Sequence, residues 1–197
     1  MTSSLGAPSL GSVPVLVGEL TLLRPFTVDD ADAMAEILRD PEVNRLTGSV
    51  RTSAEAEAAA PDLDRLREWY GSRSDQTDRL DLAVVDRETG TLVGEVVLND
   101  WDPDNASCNF RILLGPDGRG RGLGTEATRL LLDHAFAAIG LHRVSLGVLA
   151  FNPRAQHVYA RAGFVVEGVE REAHLFDGEW VDSVLMAVLD HEWAARR

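Results

Sequence analysis

The chain has 197 residues, 45% hydrophobic and 26% charged, which is the composition of an ordinary globular protein long enough to bury a core. Its formal net charge of −13 sets nucleic acid aside as the main partner, and no apolar run approaches the roughly 20 residues that span a bilayer. A single cysteine, Cys108, cannot pair within the chain, which fits a reducing cytoplasm.

Residues 1–17 lack a basic stretch and a continuous apolar core, so they read as a flexible leader and no signal peptide. Residues 18–193 read as one domain and 194–197 as a tail. Residues 19–24 alternate as a first strand. Thr27, with Asp30 three positions later, opens a helix carrying Met34, Ile37 and Leu38 on one face, and Asp40-Pro41 ends it. Thr52 and Glu55 open a second helical stretch to about residue 70, broken or kinked at Pro61, and a polar segment follows at 71–78. Leu80, Leu82 and Val84 alternate as a strand, which turns through Glu88-Thr89-Gly90 into a partner at 92–98. A loop at 100–105 leads to a third strand at 107–114, where Cys108 reads as a small buried apolar side chain.

A glycine turn then enters a helix whose apolar positions 127, 130, 131, 135 and 138 follow the helical period. Residues 142–149 form the next strand, and the strand–helix–strand crossover makes it parallel to the one before. Asn152 and Pro153 open another helix and Gly163 closes it. Two long strands then flank the hairpin turn Asp177-Gly178. This order predicts an α/β sandwich with a mixed sheet.

Two segments carry chemistry. Arg119-Gly120-Arg121-Gly122-Leu123-Gly124 joins a strand to a helix N-terminus, where unpaired backbone N–H groups and the helix dipole together favour an anion, phosphate above all. Glycine permits positive φ and leaves no Cβ to hold a phosphate off the amides, while Arg119 and Arg121 add charged donors at the rim. The triphosphate-loop ending Gly-Lys-Ser/Thr is absent, since Thr125-Glu126 follows Gly124, and Thr125 stands where a dinucleotide fold needs its third glycine. Downstream lies Asn152-x-Arg154-Ala155-x-x-x-Tyr159-x-x-x-Gly163-Phe164, in which Asn152 and Tyr159 are about two turns apart and can face the same side.

The pattern Arg119-x-x-Gly122-x-Gly124 resembles the coenzyme A pyrophosphate loop of the GCN5-related N-acetyltransferases (GNAT), and the Asn152–Phe164 string is similar to that family's second cofactor-contacting segment. The likeness covers roughly residues 17–192 and is closest to the RimJ/RimL-like branch. It implies an α/β fold with a mixed, mostly antiparallel central sheet flanked by helices and a splayed parallel strand pair at the cofactor site. It also implies that acetyl-CoA is held by the backbone of Ile112, Leu113 and Leu114, by the loop of Arg119, Gly120, Arg121, Gly122, Leu123, Gly124 and Thr125, and by Asn152, Arg154 and Tyr159. A backbone N–H near Leu113 or Leu114 then acts as an oxyanion donor, of a kind whose loss costs roughly 10²–10³ in rate. Tyr159 takes the role of general acid, its phenol of pKa near 10 being a fair match to a thiol of about 8.5. Direct attack by a primary amine follows, either the α-amine of a protein or peptide or a small-molecule amine.

The chain departs from the branch in two places. Asn109-Phe110-Arg111 stands where Glu-Ile/Phe-Gly is common, so a base there is vacant or moved, and Ala155 replaces a serine proposed as acid, which strengthens Tyr159. Glu95, Asp100 and Asp102 remain as base candidates, and Glu95, Trp101 and Asn109 as candidate acceptor contacts. Arginines 119, 121, 154 and 161 gather on the two cofactor segments, while the acidic remainder suits a cationic amine. Glu170, Arg171, Glu172 and Asp182 read as salt-bridging residues of the last hairpin. His134, His142, His157 and His174 form no metal-ligand spacing, so no metal is expected. The partners implied are acetyl-CoA, an amine acceptor and, as is common in this branch, a second copy of the chain; membrane and nucleic acid are not expected. A non-catalytic acyl-CoA-binding module on the same fold is the alternative, and a nucleotide-binding signalling protein a more distant one.

Overall fold

Alternating apolar residues assemble into one sheet in the computed structural model, which describes residues 10–196. Its strands are β1 (Leu16–Val17), β2 (Thr21–Pro25), β3 (Leu80–Asp86), β4 (Leu92–Asp102), β5 (Ser107–Leu114), β6 (Arg143–Leu149), β7 (Val165–Phe176) and β8 (Glu179–Leu189). They lie in the order β1-β2-β3-β4-β5-β6-β8-β7, antiparallel throughout except for β5 against β6. The helices are α1 (Ala31–Leu38), α2 (Pro41–Thr47), α3 (Ser53–Glu57), α4 (Leu63–Gly71), α5 (Leu123–His134), α6 (Pro153–Ala162) and α7 (Asp190–Ala194). No helix among the described residues is long and apolar enough to cross a membrane.

The two-residue period of β3 supplies both faces of the sheet. Leu80, Leu82 and Val84 join Leu123, Leu131 and Leu132 of α5 in one core, whereas Ala83 joins Phe26, Met34, Val43 and Tyr70 in a second core under α1, α2 and α4. The pairing of β5 with β6 runs only from Ser107–Arg143 to Asn109–Ser145. Beyond Asn109 β5 stays bonded to β4 as far as Leu114, while β6 stays bonded to β8, so the sheet splits between them. A bulge at Val93 tightens β4 beside the split, and Gly94 is required there because a Cβ would lie 2.1 Å from the Leu113 carbonyl oxygen.

Several expectations change. Asp40-Pro41 ends α1 but also opens α2, since the Asp40 side chain accepts from Glu42 N at 2.8 Å and Pro41 occupies the first turn. The stretch after Thr52 does divide at Pro61, as expected, into α3 and α4, the latter capped by Asp62. β4 continues past residue 98 to Asp102, and α5 starts at Leu123 and ends in a π turn at Ala135–Ile139. Within the segment read as a leader, Leu10 is fully buried in the main core and Leu16 pairs with Leu23, because apolar Leu10, Val13 and Leu16 cover that core's open side. Residues 1–9 and 197 of the expected leader and tail lie outside the described residues.

Candidate active site

The cradle is built by local backbone rules. Gly120 and Gly122 hold φ of +75° and +87°, the left-handed region that side chains disfavour, and Gly122 caps α5. The first helical bond runs from Glu126 N to Gly122 O, so the amides of Leu123, Gly124 and Thr125 have no acceptor among the described residues. Gly124 sits against β5, where a Cβ would approach Leu114 Cδ1 to 3.0 Å. The Glu126 carboxylate fastens the helix start to β2, accepting from the amides of Glu19, Leu20 and Thr21 at 2.6–2.9 Å and from Thr21 Oγ1 at 2.7 Å.

The arginines divide differently from the sequence expectation. Arg121 does not line the cavity, because its guanidinium is held by Asp86 at 2.6 Å and Glu88 at 2.8 Å in the β3–β4 turn and serves as a tether. Arg119 lines it but donates Nε to the Leu114 carbonyl at 2.9 Å and pairs with Asp40 at 3.0 Å and with Glu42. Arg154 reaches the same Glu42 at 3.2 Å. Arg161 lines the cavity with no acidic partner among the described residues, and His157 stands near it on α6. Leu123 is buried in the core and does not line the cavity.

The cavity, of about 460 Å³, opens where β5 and β6 part and is lined along one wall by Phe110 to Leu114. On the opposite wall Asn152 accepts from Ala155 N at 3.1 Å, capping α6, and Tyr159 lies two turns on. The Tyr159 ring, 8% exposed, packs edge-on to Phe110 at 6.0 Å. Burial pushes its phenol up to about 12, against a smaller opposing pull from Arg111, and its hydroxyl has no hydrogen-bond partner among the described residues.

Glu95 on β4 stands directly opposite Leu113 and lines the same cavity. Burial, reinforced by Asp81, lifts its carboxyl to about 7, while the Tyr70 hydroxyl, which donates to Oε2 at 3.2 Å, and Arg111 work the other way. A carboxyl with that proton affinity can exchange a proton near neutrality. Trp101 and Asn109 do not line the cavity. Asn109 belongs to the last bonded step of the parallel pair and donates to Asn99 at 2.9 Å, and Trp101 packs against the main core. Asp100 is absent from the cavity wall, and Asp102 is occupied with Asn105 in the turn.

Three features escaped the sequence reading. Val43, Leu46 and Thr47 of α2 form a wall, hidden because Asp40-Pro41 reads as a stop, although their spacing of three and four residues is helical. Arg111 also lines the cavity, and its position on a central strand beside Glu95 was the available signal. His157 follows the Asn152-Pro153 helix start by one turn and lines the cavity, and that spacing from the cap is its only signal in the sequence.

An opened parallel pair above a bare amide cradle, with a phenol and a carboxyl in one cavity, suits an anionic ligand held beside groups that can exchange protons. Residues 21–165 match the family described as the acetyltransferase (GNAT) domain, and the chain belongs to that family. The family uses acetyl-CoA, and relatives of this chain bear the names of N-acetyltransferases. The spermidine N(1)-acetyltransferase of Escherichia coli K12 is 30% identical over 121 residues, 61% of this chain and 63% of that protein, so the match spans less than two thirds of the relative. The [ribosomal protein uS5]-alanine N-acetyltransferase of the same strain is 30% identical over 91 residues, covering 46% of this chain and 47% of the relative. The spermidine N-acetyltransferase of Vibrio cholerae, solved with CoA and spermine, shares the fold at TM-score 0.78 and 23% identity, over 90% of this chain and 99% of that one. A putative acetyltransferase from T. thermophilus superposes at TM-score 0.74 with 27% identity, over 93% of this chain and 94% of that one.

Proposed function

We propose that this chain transfers an acetyl group from acetyl-CoA to a primary amine, either a small cationic amine or the terminal amine of a peptide, by direct attack on the thioester. The observation that carries the reading is the shared cavity: Glu95 from one wall and Tyr159 from the other line the space beside the bare amides of α5. Those amides and the uncommitted Arg161 fit a diphosphate, and the unpartnered β5 edge beyond Asn109 fits an extended chain with amide groups. Acetyl-CoA, when bound, supplies a thioester carbonyl and a thiol leaving group.

The chain's own residues do the rest. Glu95 takes a proton from the incoming ammonium, which leaves the nitrogen lone pair free, and a β5 amide near Leu113 or Leu114 steadies the carbonyl oxygen. Tyr159 keeps its proton at neutral pH and offers it to the departing sulfur. The burial that makes the phenol a weaker acid makes the thiolate a stronger base as well, so the two stay matched. Asn152 holds the start of α6 and thereby the height of Tyr159 in the cavity.

Release of free thiol from acetyl-CoA, measured across polyamines, small amines and short peptides with free N-termini, tests the reading. Turnover with at least one amine class is expected. Stabilisation of the fold by coenzyme A with no turnover on any amine would replace the reading with a binding module, and stabilisation by ATP or NAD alone would remove both.

A further inference from the structure

We propose that Tyr70 and Asp81, which lie outside the cavity wall, are positioning residues: Tyr70 aims the Glu95 carboxyl at the acceptor and Asp81 sets how tightly it holds a proton. The inference rests on Glu95 being the base. Its ground is the sheet register. Ala83, Glu95 and Leu113 form one cross-strand row, and Asp81, Val97 and Arg111 form the next row on the same face. Glu95 therefore has an acid on one diagonal and an arginine on the other, at a spacing of about 7–8 Å, close enough for charges partly shielded from water to act on one another.

Both helpers are fixed from behind. Asp81 is 3% exposed and grips Arg79 with both oxygens, at 2.6 Å each. The Arg79 guanidinium lies over the Trp69 ring at 5.3 Å, and Arg73 lies over it at 3.7 Å while donating to the Trp69 carbonyl at 2.9 Å. The next residue, Tyr70, is wedged against Phe26 at 4.4 Å and points its hydroxyl at Glu95 Oε2. One dipeptide at the end of α4 thus clamps Arg79, which holds Asp81, and directs the Glu95 carboxyl. The charged or titratable groups facing Glu95 are Tyr70 and Arg73 from the α4 side, Asp81 and Arg79 from β3 and its entry, and Arg111 from β5; α2 presents Val43, Leu46 and Thr47, none of which titrates. The step served is a plain proton transfer: the ammonium N–H bond breaks, its electron pair stays on nitrogen, and the proton forms an O–H bond on Glu95.

The test is the pH profile of kcat/KM at saturating acetyl-CoA for the full chain, read beside carboxyl-¹³C glutamate NMR of the protein alone, with Glu95 assigned through Glu95→Gln. Asp81→Asn removes a negative neighbour, so the acid limb and the Glu95 resonance should move down by about one pH unit. Tyr70→Phe removes a donor to the carboxylate, so both should move up by a similar amount, with turnover lowered about tenfold and the KM for acetyl-CoA unchanged. Opposite shifts in folded variants support the inference. A limb that stays put, or moves the same way in both, overturns it. If Asp81→Asn does not fold, Tyr70→Phe decides alone. A Glu95→Gln protein that keeps both limb and turnover removes the base assignment itself, whereas loss of the limb in Glu95→Gln with no shift in the other two removes only the roles of Tyr70 and Asp81.

Discussion

Folding carries Glu95 partly out of water on β4, beside Asp81, and lifts its carboxyl to about 7 from an ordinary value of 4.5. The folded chain then holds this proton more tightly than the unfolded chain does, so stability falls as pH rises through the window between those values. Above it a cost on the order of 3 kcal/mol persists. Glu95→Gln is therefore expected to melt several degrees higher than the parent at pH 8, with the gap closing at pH 5, while its turnover drops at least about 10²-fold. Thermal melts at the two pH values check this, and a variant less stable than the parent at pH 8 would contradict it. At Tyr159 the burden is different, since its aromatic contacts with Phe110 and Phe164 persist without the hydroxyl. Tyr159→Phe should leave the melting temperature nearly unchanged and lower turnover about 10²-fold. Turnover equal to the parent's would take Tyr159 out of the mechanism.

Among the elements, α2 connects most of the site. Its N-terminal Glu42 bonds Arg119 of the glycine loop and Arg154 of α6, and its later residues Val43, Leu46 and Thr47 form a cavity wall. The same carboxylate competes for two guanidinium groups that face the cavity. Because these are partly exposed pairs, each contributes at most about 1 kcal/mol. Glu42→Gln is accordingly expected to tighten coenzyme A binding about two- to fivefold at low salt, as titration calorimetry would record. Weaker binding would mean that Glu42 orients the arginines and does not compete for them. The glycine loop could be located from residue types, because a run of positive-φ glycines at a helix start has few alternative uses. α2 could not, because Asp-Pro stops one helix and starts another with the same atoms, and local sequence does not say which role prevails.

Across the whole molecule, a net charge of −13 surrounds a cavity lined by Arg111, Arg119, Arg154 and Arg161. A cationic acceptor would be drawn in over distances comparable to the screening length, about 8–10 Å in physiological salt. Raising ionic strength from about 20 to 500 mM should then increase KM for a polyamine several-fold while kcat stays level, and leave KM for a neutral amine analogue unmoved. Equal response of both would show that the acidic surface serves only solubility.

How much of this could be read in advance follows from the range of the forces involved. Strand alternation, helix caps, the amide cradle and the Asn152–Tyr159 spacing are set by neighbours within a few residues, and for that reason the mixed sheet, the glycine turn and the α6 cap are legible in the chain alone. Whether Arg121 faces a ligand or the carboxylates of Asp86 and Glu88, whether Glu95 is an ordinary surface acid or a half-buried one with a raised proton affinity, and where the parallel strands part depend on residues brought together from distant parts of the chain. Charge, desolvation and strand register are properties of that assembled neighbourhood, and no local pattern encodes them.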